Sequence, residues 1–160
     1  MPRYMTKPGF DRIEAEIERL WTVERPDVVR QVTAAAEMGD RSENAEYIYG
    51  KKRLREIDSR MRYLRKKTDE LVVVDLDRQP DHSNVLFGAV VTVLDDHERE
   101  WTWRLVDKDE SDPKRSLISV QSPVGRALLG REVGDHVEIQ LPKGKVGYEI
   151  IGLRYGGGAP

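Results

Sequence analysis

Leu54, Ile57, Met61, Leu64, Thr68 and Leu71 recur at alternating intervals of three and four residues. Only a helix, with about 3.6 residues per turn, brings such positions onto one side. The stripe is narrow, an a/d seam with polar positions between, so it can cover one partner helix. A second stripe upstream supplies that partner. Phe10, Ile13, Ile17 and Leu20 share the spacing, and Val28, Val32 and Ala35 resume it beyond Pro26. A proline inside a helix removes one N–H and crowds the preceding turn, so a kink or restart is expected there. Two seams joined by a short turn predict an antiparallel helical hairpin. Each arm would hold roughly 30 residues and run about 45 Å.

The turn between the arms is Gly39-Asp40-Arg41-Ser42-Glu43-Asn44. A glycine ends the first arm, and two carboxylates three residues apart stand just beyond it. In a hairpin they lie at its tip, where they can be carried to a reaction centre in another molecule. Mg²⁺ takes oxygen ligands and keeps several waters, so one or two added acids can raise its occupancy. Hydrolysis of a phosphodiester by two metals about 4 Å apart needs oxygen ligands for both. Asp40 and Glu43 also fit a capping box, Asp40 as N-cap and Glu43 at N3 of the second helix. The two readings are compatible. Asn44 fits a cap or turn position.

Charge is distributed unevenly along the two arms. From Lys51 to Lys67 nine bases face only Glu56 and Asp58, while from Phe10 to Glu37 seven acids outnumber four arginines. The arms therefore attract each other and leave a positive surplus on one face. Such a run is ordinarily a solvated face, with Lys52, Arg53 and Arg60 facing outward, yet nine bases against two acids exceed what solubility requires. Tyr47 and Tyr49 offer rings for base stacking or for seam packing. The 35% charged and 38% apolar composition suits a long solvated helical element rather than one compact core. There is no cysteine, which excludes disulfides and thiolate metal sites and fits a reducing cytoplasm. No apolar run approaches the ~20 residues of a membrane span. The three histidines, His82, His97 and His136, lack ligand spacing, so no zinc site is expected.

The second half changes character. Val85–Leu94, Trp101–Val106, Ser116–Val120, His136–Leu141 and Tyr148–Leu153 read as strands separated by turn signals such as Asp112-Pro113 and Pro142-Lys143-Gly144. Ser122 as N-cap, Pro123 at N1 and Gly130 as terminator predict a short helix over 124–129. The fold class is α+β: a coiled-coil hairpin over 1–75 with its acidic tip at 39–44, a linker at 76–84, a small antiparallel sheet domain with one short helix over 85–155, and a disordered tail at 156–160. Phe87, Trp101, Trp103 and Tyr148 are expected in the core of that domain, with an exposed docking patch or a pocket as alternatives.

Several separated segments match one family in order. Gly39 to Tyr47 matches the tip motif of the bacterial Gre transcript-cleavage factors of RNA polymerase. Lys51 to Asp58 matches the basic stretch of the GreB subtype. Glu24-Arg25-Pro26, Leu86-Phe87-Gly88-Ala89 and Ser119 to Pro123 also resemble family positions. The resemblance spans nearly the whole chain. It implies an N-terminal coiled coil and a C-terminal domain similar in fold to FKBP-type isomerases.

The resemblance also implies a function. The hairpin would enter the secondary channel of a backtracked bacterial RNA polymerase. Asp40 and Glu43 would be the catalytic acids, helping to hold Mg²⁺ in the polymerase active centre and to position the attacking water. No cofactor would be bound stably by the chain alone, which would act as an accessory factor and not as an enzyme. Lys51, Lys52, Arg53, Arg55 and Arg60 would bind the extruded 3′ RNA. Gln121, Ser122 and Pro123 would dock at the channel rim, and many relatives carry an acidic residue or Asn where Gln121 stands. The expected state is a cytoplasmic monomer with no membrane partner. A non-catalytic regulator of the same channel and a peptidyl-prolyl isomerase or chaperone remain as alternatives.

Overall fold

The computed structural model describes residues 3–39 and 43–160. The chain divides into two units, Phe10–Leu71 and Met1–Gly9 with Val72–Pro160. The helical unit holds most of α1 (Lys7–Arg19), then α2 (Arg25–Ala36) and α3 (Ala45–Asp69). Between α1 and α2 the chain makes a π-helical turn, Leu20–Glu24, in which the N–H of Arg25 reaches the carbonyl of Leu20. The break expected at Pro26 is thus a widened turn that leaves both ends helical. Its physical cause is that proline: in an unbroken α-helix the Pro26 ring would strike the carbonyl of Thr22, and a wider turn relieves that clash.

The predicted seams close the hairpin. Ile13, Leu20 and Ala35 from the first arm and Ile57, Met61 and Leu64 from the second are buried. Full burial of a large aliphatic side chain stabilises by roughly 1.5–3 kcal/mol, so these few positions dominate the unit's energetics.

The other unit is a five-stranded sheet in the order β5-β4-β3-β7-β6. Its strands are β3 (Val90–Asp95), β4 (Glu100–Val106), β5 (Leu117–Ser119), β6 (His136–Leu141) and β7 (Gly144–Arg154). Val85, Val91, Val93, Leu105, Leu128 and Ile150 form the centre of its core. The short helix α4 (Pro123–Leu128) is capped by Ser122, whose hydroxyl accepts from the N–H of Gly125 at 3.0 Å.

Five expectations are corrected. The sheet is not wholly antiparallel, because β5 runs parallel to β4; the chain returns through a loop of two 3₁₀ turns, Lys108–Glu110 and Pro113–Arg115, long enough for a crossover. The first strand begins at Val90 and not at Val85: residues 85–89 give their backbone bonds to Arg131, Gly130 and Leu105 instead of to a strand ladder. Residues 3–6 are not the start of the hairpin but a strand, β1, paired with β2 (Leu71–Val74). Met5 and Thr6 are buried there, Arg3 pairs with Asp107 at 2.8 Å, and Glu110 accepts from the Thr6 N–H and hydroxyl. The tail is held rather than loose. Arg104, 2% exposed, donates to the carbonyls of Gly88, Gly156 and Gly158 at 2.7–3.0 Å. Residues 76–84, expected as a linker, are also bonded to this unit, through Gln79 to the Phe87 carbonyl and Tyr155 to the Asn84 carbonyl.

Candidate functional site

The register of the hairpin is marked by ion pairs between its arms. Arg60 binds Glu16 through two nitrogens at 2.9 and 3.1 Å, Arg53 binds Glu24 at 2.9 Å, and Arg25 binds Asp58 at 2.9 Å. The hydrogen bond to the carboxylate is in each case the main cause of a raised arginine pKa. These groups are partly exposed, so each pair contributes about 1 kcal/mol or less. They select the register while the apolar seam supplies the energy. Nearer the tip the arms approach closely. A Cβ on Gly50 would lie 2.5 Å from Cγ2 of Val32, so only glycine fits at that distance.

Beyond α2, Gly39 adopts φ +121°, a backbone that other residues rarely take. The second helix begins at Ala45, and its N-cap is Asn44. The side-chain oxygen of Asn44 accepts from the N–H of Tyr47 at 3.1 Å, and its nitrogen donates to the carbonyl of Ala35 at 2.7 Å. The capping box read onto Asp40 and Glu43 is therefore corrected. Glu43 precedes the cap, and the N3 position is Tyr47. The signal was present in the sequence, since Asn ranks with Asp and Ser as an N-cap and stands directly before a helix-forming run. Glu43 is exposed and has no ion pair among the described residues. Asp40, Arg41 and Ser42 lie outside the described residues.

The nine bases of the second arm separate into distinct groups. Lys51, Lys52, Arg55, Arg62 and Lys66 are exposed, with no ion pair among the described residues. At 100° per residue they fall on the side of α3 opposite Ile57, Met61 and Leu64. Arg53 and Arg60 are engaged by Glu24 and Glu16, and Lys67 is buried. Arg65 lies over the ring of Trp21 at 5.7 Å, as Arg25 does at 5.8 Å. Counting charge along the chain finds the cluster but not this division, which depends on the acids of the other arm. Tyr49 is 70% exposed, whereas Tyr47 is half-buried.

In the β unit, Oε1 of Gln121 accepts from the Ser119 hydroxyl at 2.8 Å and from the Lys108 N–H at 3.2 Å. A carboxylate there would accept both bonds equally well. Ser122 is spent on capping α4, and Pro123 is exposed at its first turn. Gln121 also lines an apolar groove with Tyr4, Leu86, Phe87, Val120 and Leu129. The four aromatic residues divide: Trp103 packs edge-on against the buried Tyr148 with centroids 5.6 Å apart, Phe87 is buried, and Trp101 is 42% exposed. Among the described residues no group of three or more His, Cys, Asp or Glu side chains is placed to hold a metal ion.

A long charged hairpin followed by a small sheet unit is the architecture that two family models recognise. Residues 3–73 match the N-terminal domain of a transcription elongation factor, and residues 79–155 match the C-terminal domain of transcription elongation factor GreA/GreB. The chain belongs to the GreA/GreB family of transcription elongation factors. Within it the similarity is to GreB. Transcription elongation factor GreB of Yersinia pestis is 49% identical over 152 residues, covering 95% of this chain and 88% of the relative. The GreB of Pseudomonas aeruginosa is 46% identical over 151 residues, covering 94% and 89%. Among solved structures, GreA factor homolog 1 of Thermus thermophilus is 22% identical and aligns over 96% of this chain and 99% of that one, with a TM-score of 0.44.

Proposed function

We propose that this protein is an accessory factor of bacterial RNA polymerase that stimulates hydrolysis of the transcript's 3′ end in backtracked complexes. The observation that carries the reading is Glu43: an exposed carboxylate without an ion pair among the described residues, beside the capped end of a hairpin. The hairpin enters the polymerase's secondary channel, and the β unit docks at the rim through Gln121, Ser122 and Pro123.

Mg²⁺ in the polymerase active centre would polarise the scissile phosphate and lower the pKa of the attacking water. Glu43, exposed and without an ion pair among the described residues, can offer oxygen to that ion. Asp40, three positions earlier, supplies a second carboxylate. Lys51, Lys52 and Arg55, with Arg62 and Lys66, neutralise phosphates of the extruded RNA without reading its sequence. Arg53 and Arg60 hold the register of the hairpin that presents these groups. Alone the chain cleaves nothing, since two isolated surface acids bind Mg²⁺ poorly. It works as a cytoplasmic monomer, and its β unit serves docking rather than proline isomerisation.

The test is to mix the protein with backtracked elongation complexes and Mg²⁺. Shortened RNA is expected, with none formed when polymerase is omitted. Glu43→Gln and Asp40→Asn should abolish the shortening yet still compete with wild type for polymerase. Unshortened RNA with the wild-type protein would overturn the proposal, and full cleavage by both variants would remove the acids from it.

A further inference from the structure

We propose that Asn44 is a positioning residue, a clamp that ties α2 to α3 and fixes the direction in which Glu43 is presented. The inference rests on the function just proposed. One amide group makes both bonds described above, and they run in opposite senses: its oxygen accepts from α3 and its nitrogen donates to α2. Only one orientation of the amide satisfies both, because the reverse would set two donors and two acceptors face to face. The bond to Ala35 spans nine positions. It joins the last turn of α2 to the first turn of α3, directly beside Glu43. The Ala35 residue is 2% exposed, and its carbonyl also accepts from the N–H of Met38 at 3.2 Å. Releasing Asn44 would thus loosen the end of α2 and the support of Glu43 together.

A simple helix cap and a clamp make different demands on this side chain. Capping needs only an acceptor, and Asp, Ser and Asn serve almost equally. Clamping also needs a donor long enough to reach Ala35. Asp has no donor and would set a carboxylate against the Ala35 carbonyl. Ser has a hydroxyl but is a full bond too short. Asn44→Asp and Asn44→Ser therefore keep the cap and lose the clamp, one with added charge and one without. A catalytic group displaced by about 1 Å commonly costs on the order of 100-fold in rate.

The experiment compares full-length wild type with both variants. Far-ultraviolet circular dichroism reports helix content, competition reports polymerase occupancy, and transcript cleavage is followed across Mg²⁺ concentrations. Backbone hydrogen exchange is measured at Met38 and Tyr47 on the factor alone. Both variants should keep helix content and occupancy, cleave about 10- to 100-fold more slowly, exchange faster at Met38 and stay protected at Tyr47. Wild-type rates in both would overturn the clamp. So would a loss confined to Asn44→Asp, which marks a charge effect, or a parallel loss of helix content and rate, which marks a cap. If wild type itself fails to cleave, the proposed function falls, and exchange at Met38 alone decides the clamp: unchanged exchange in both variants overturns it.

Discussion

Asp95 shows how much one carboxylate can organise. Its oxygens accept from the Trp101 indole at 3.0 Å and from the N–H groups of His97 and Arg99 at 2.8 and 2.9 Å, across the turn between β3 and β4. The indole bond, then the Arg99 and His97 N–H groups and the Arg99 charge, hold its pKa at about 2, below the ordinary 3.8. A carboxylate whose folded pKa is depressed favours folding above its unfolded pKa, and that support is lost as pH falls through the folded value. Asp95→Asn should therefore melt lower than wild type at pH 6, and the gap should narrow as the pH drops from about 4 towards 2. Thermal scans at stepped pH check this, and a constant gap would contradict it. At this scale sequence alone misleads most. Asp40 resembles a cap by spacing, yet Asn44 is the cap, and Arg53 resembles a free cation, yet Glu24 holds it. The first could have been read locally, since the cap bond reaches only Tyr47, whereas the second depends on a partner in the other arm, which spacing cannot supply.

Elements were more legible. Periods of three and four marked both helical arms, because an apolar stripe must face something. The limits of β6 and the caps of α4 followed from alternation and turn chemistry. The π turn did not, because proline announces a fault in the helix without saying how it is relieved. Nor did Gly50, which looks like a weak point in a helical pattern and is a point of contact. Gly50→Ala would gain about 1 kcal/mol of helix propensity. Against that, overpacking a stiff β-branched neighbour costs roughly 1–3 kcal/mol. The substitution should therefore destabilise the protein by about 1 kcal/mol. Adding Val32→Ala should recover part of the loss, and chemical denaturation of the four proteins gives the coupling directly. Strictly additive effects would mean that the two side chains do not meet.

For the molecule as a whole, the net charge of −2 conceals a basic face within an acidic protein. Single-stranded nucleic acid releases counterions with a slope near −0.7 per phosphate contact, so five free cations allow a salt slope of about −3.5 for extruded RNA. Lys52→Glu with Arg55→Glu should impair cleavage in complexes with long extruded RNA more than in those with short RNA. Equal loss on both lengths would argue against phosphate contact. The division into a helical and a β part was legible from the change of period, but its boundary was not. Residues 3–6 and 156–160 are too short to carry a pattern, and contacts such as those of Asp107, Glu110 and Arg104 reveal where they belong. Trp21 is the sole tryptophan of the helical unit, 55% exposed and flanked by two guanidinium groups, while the other two lie in the sheet. With Trp101 and Trp103 changed to Phe, intrinsic fluorescence becomes a private signal from the hairpin, and a change in it on mixing with RNA polymerase would time the moment when that arm leaves water.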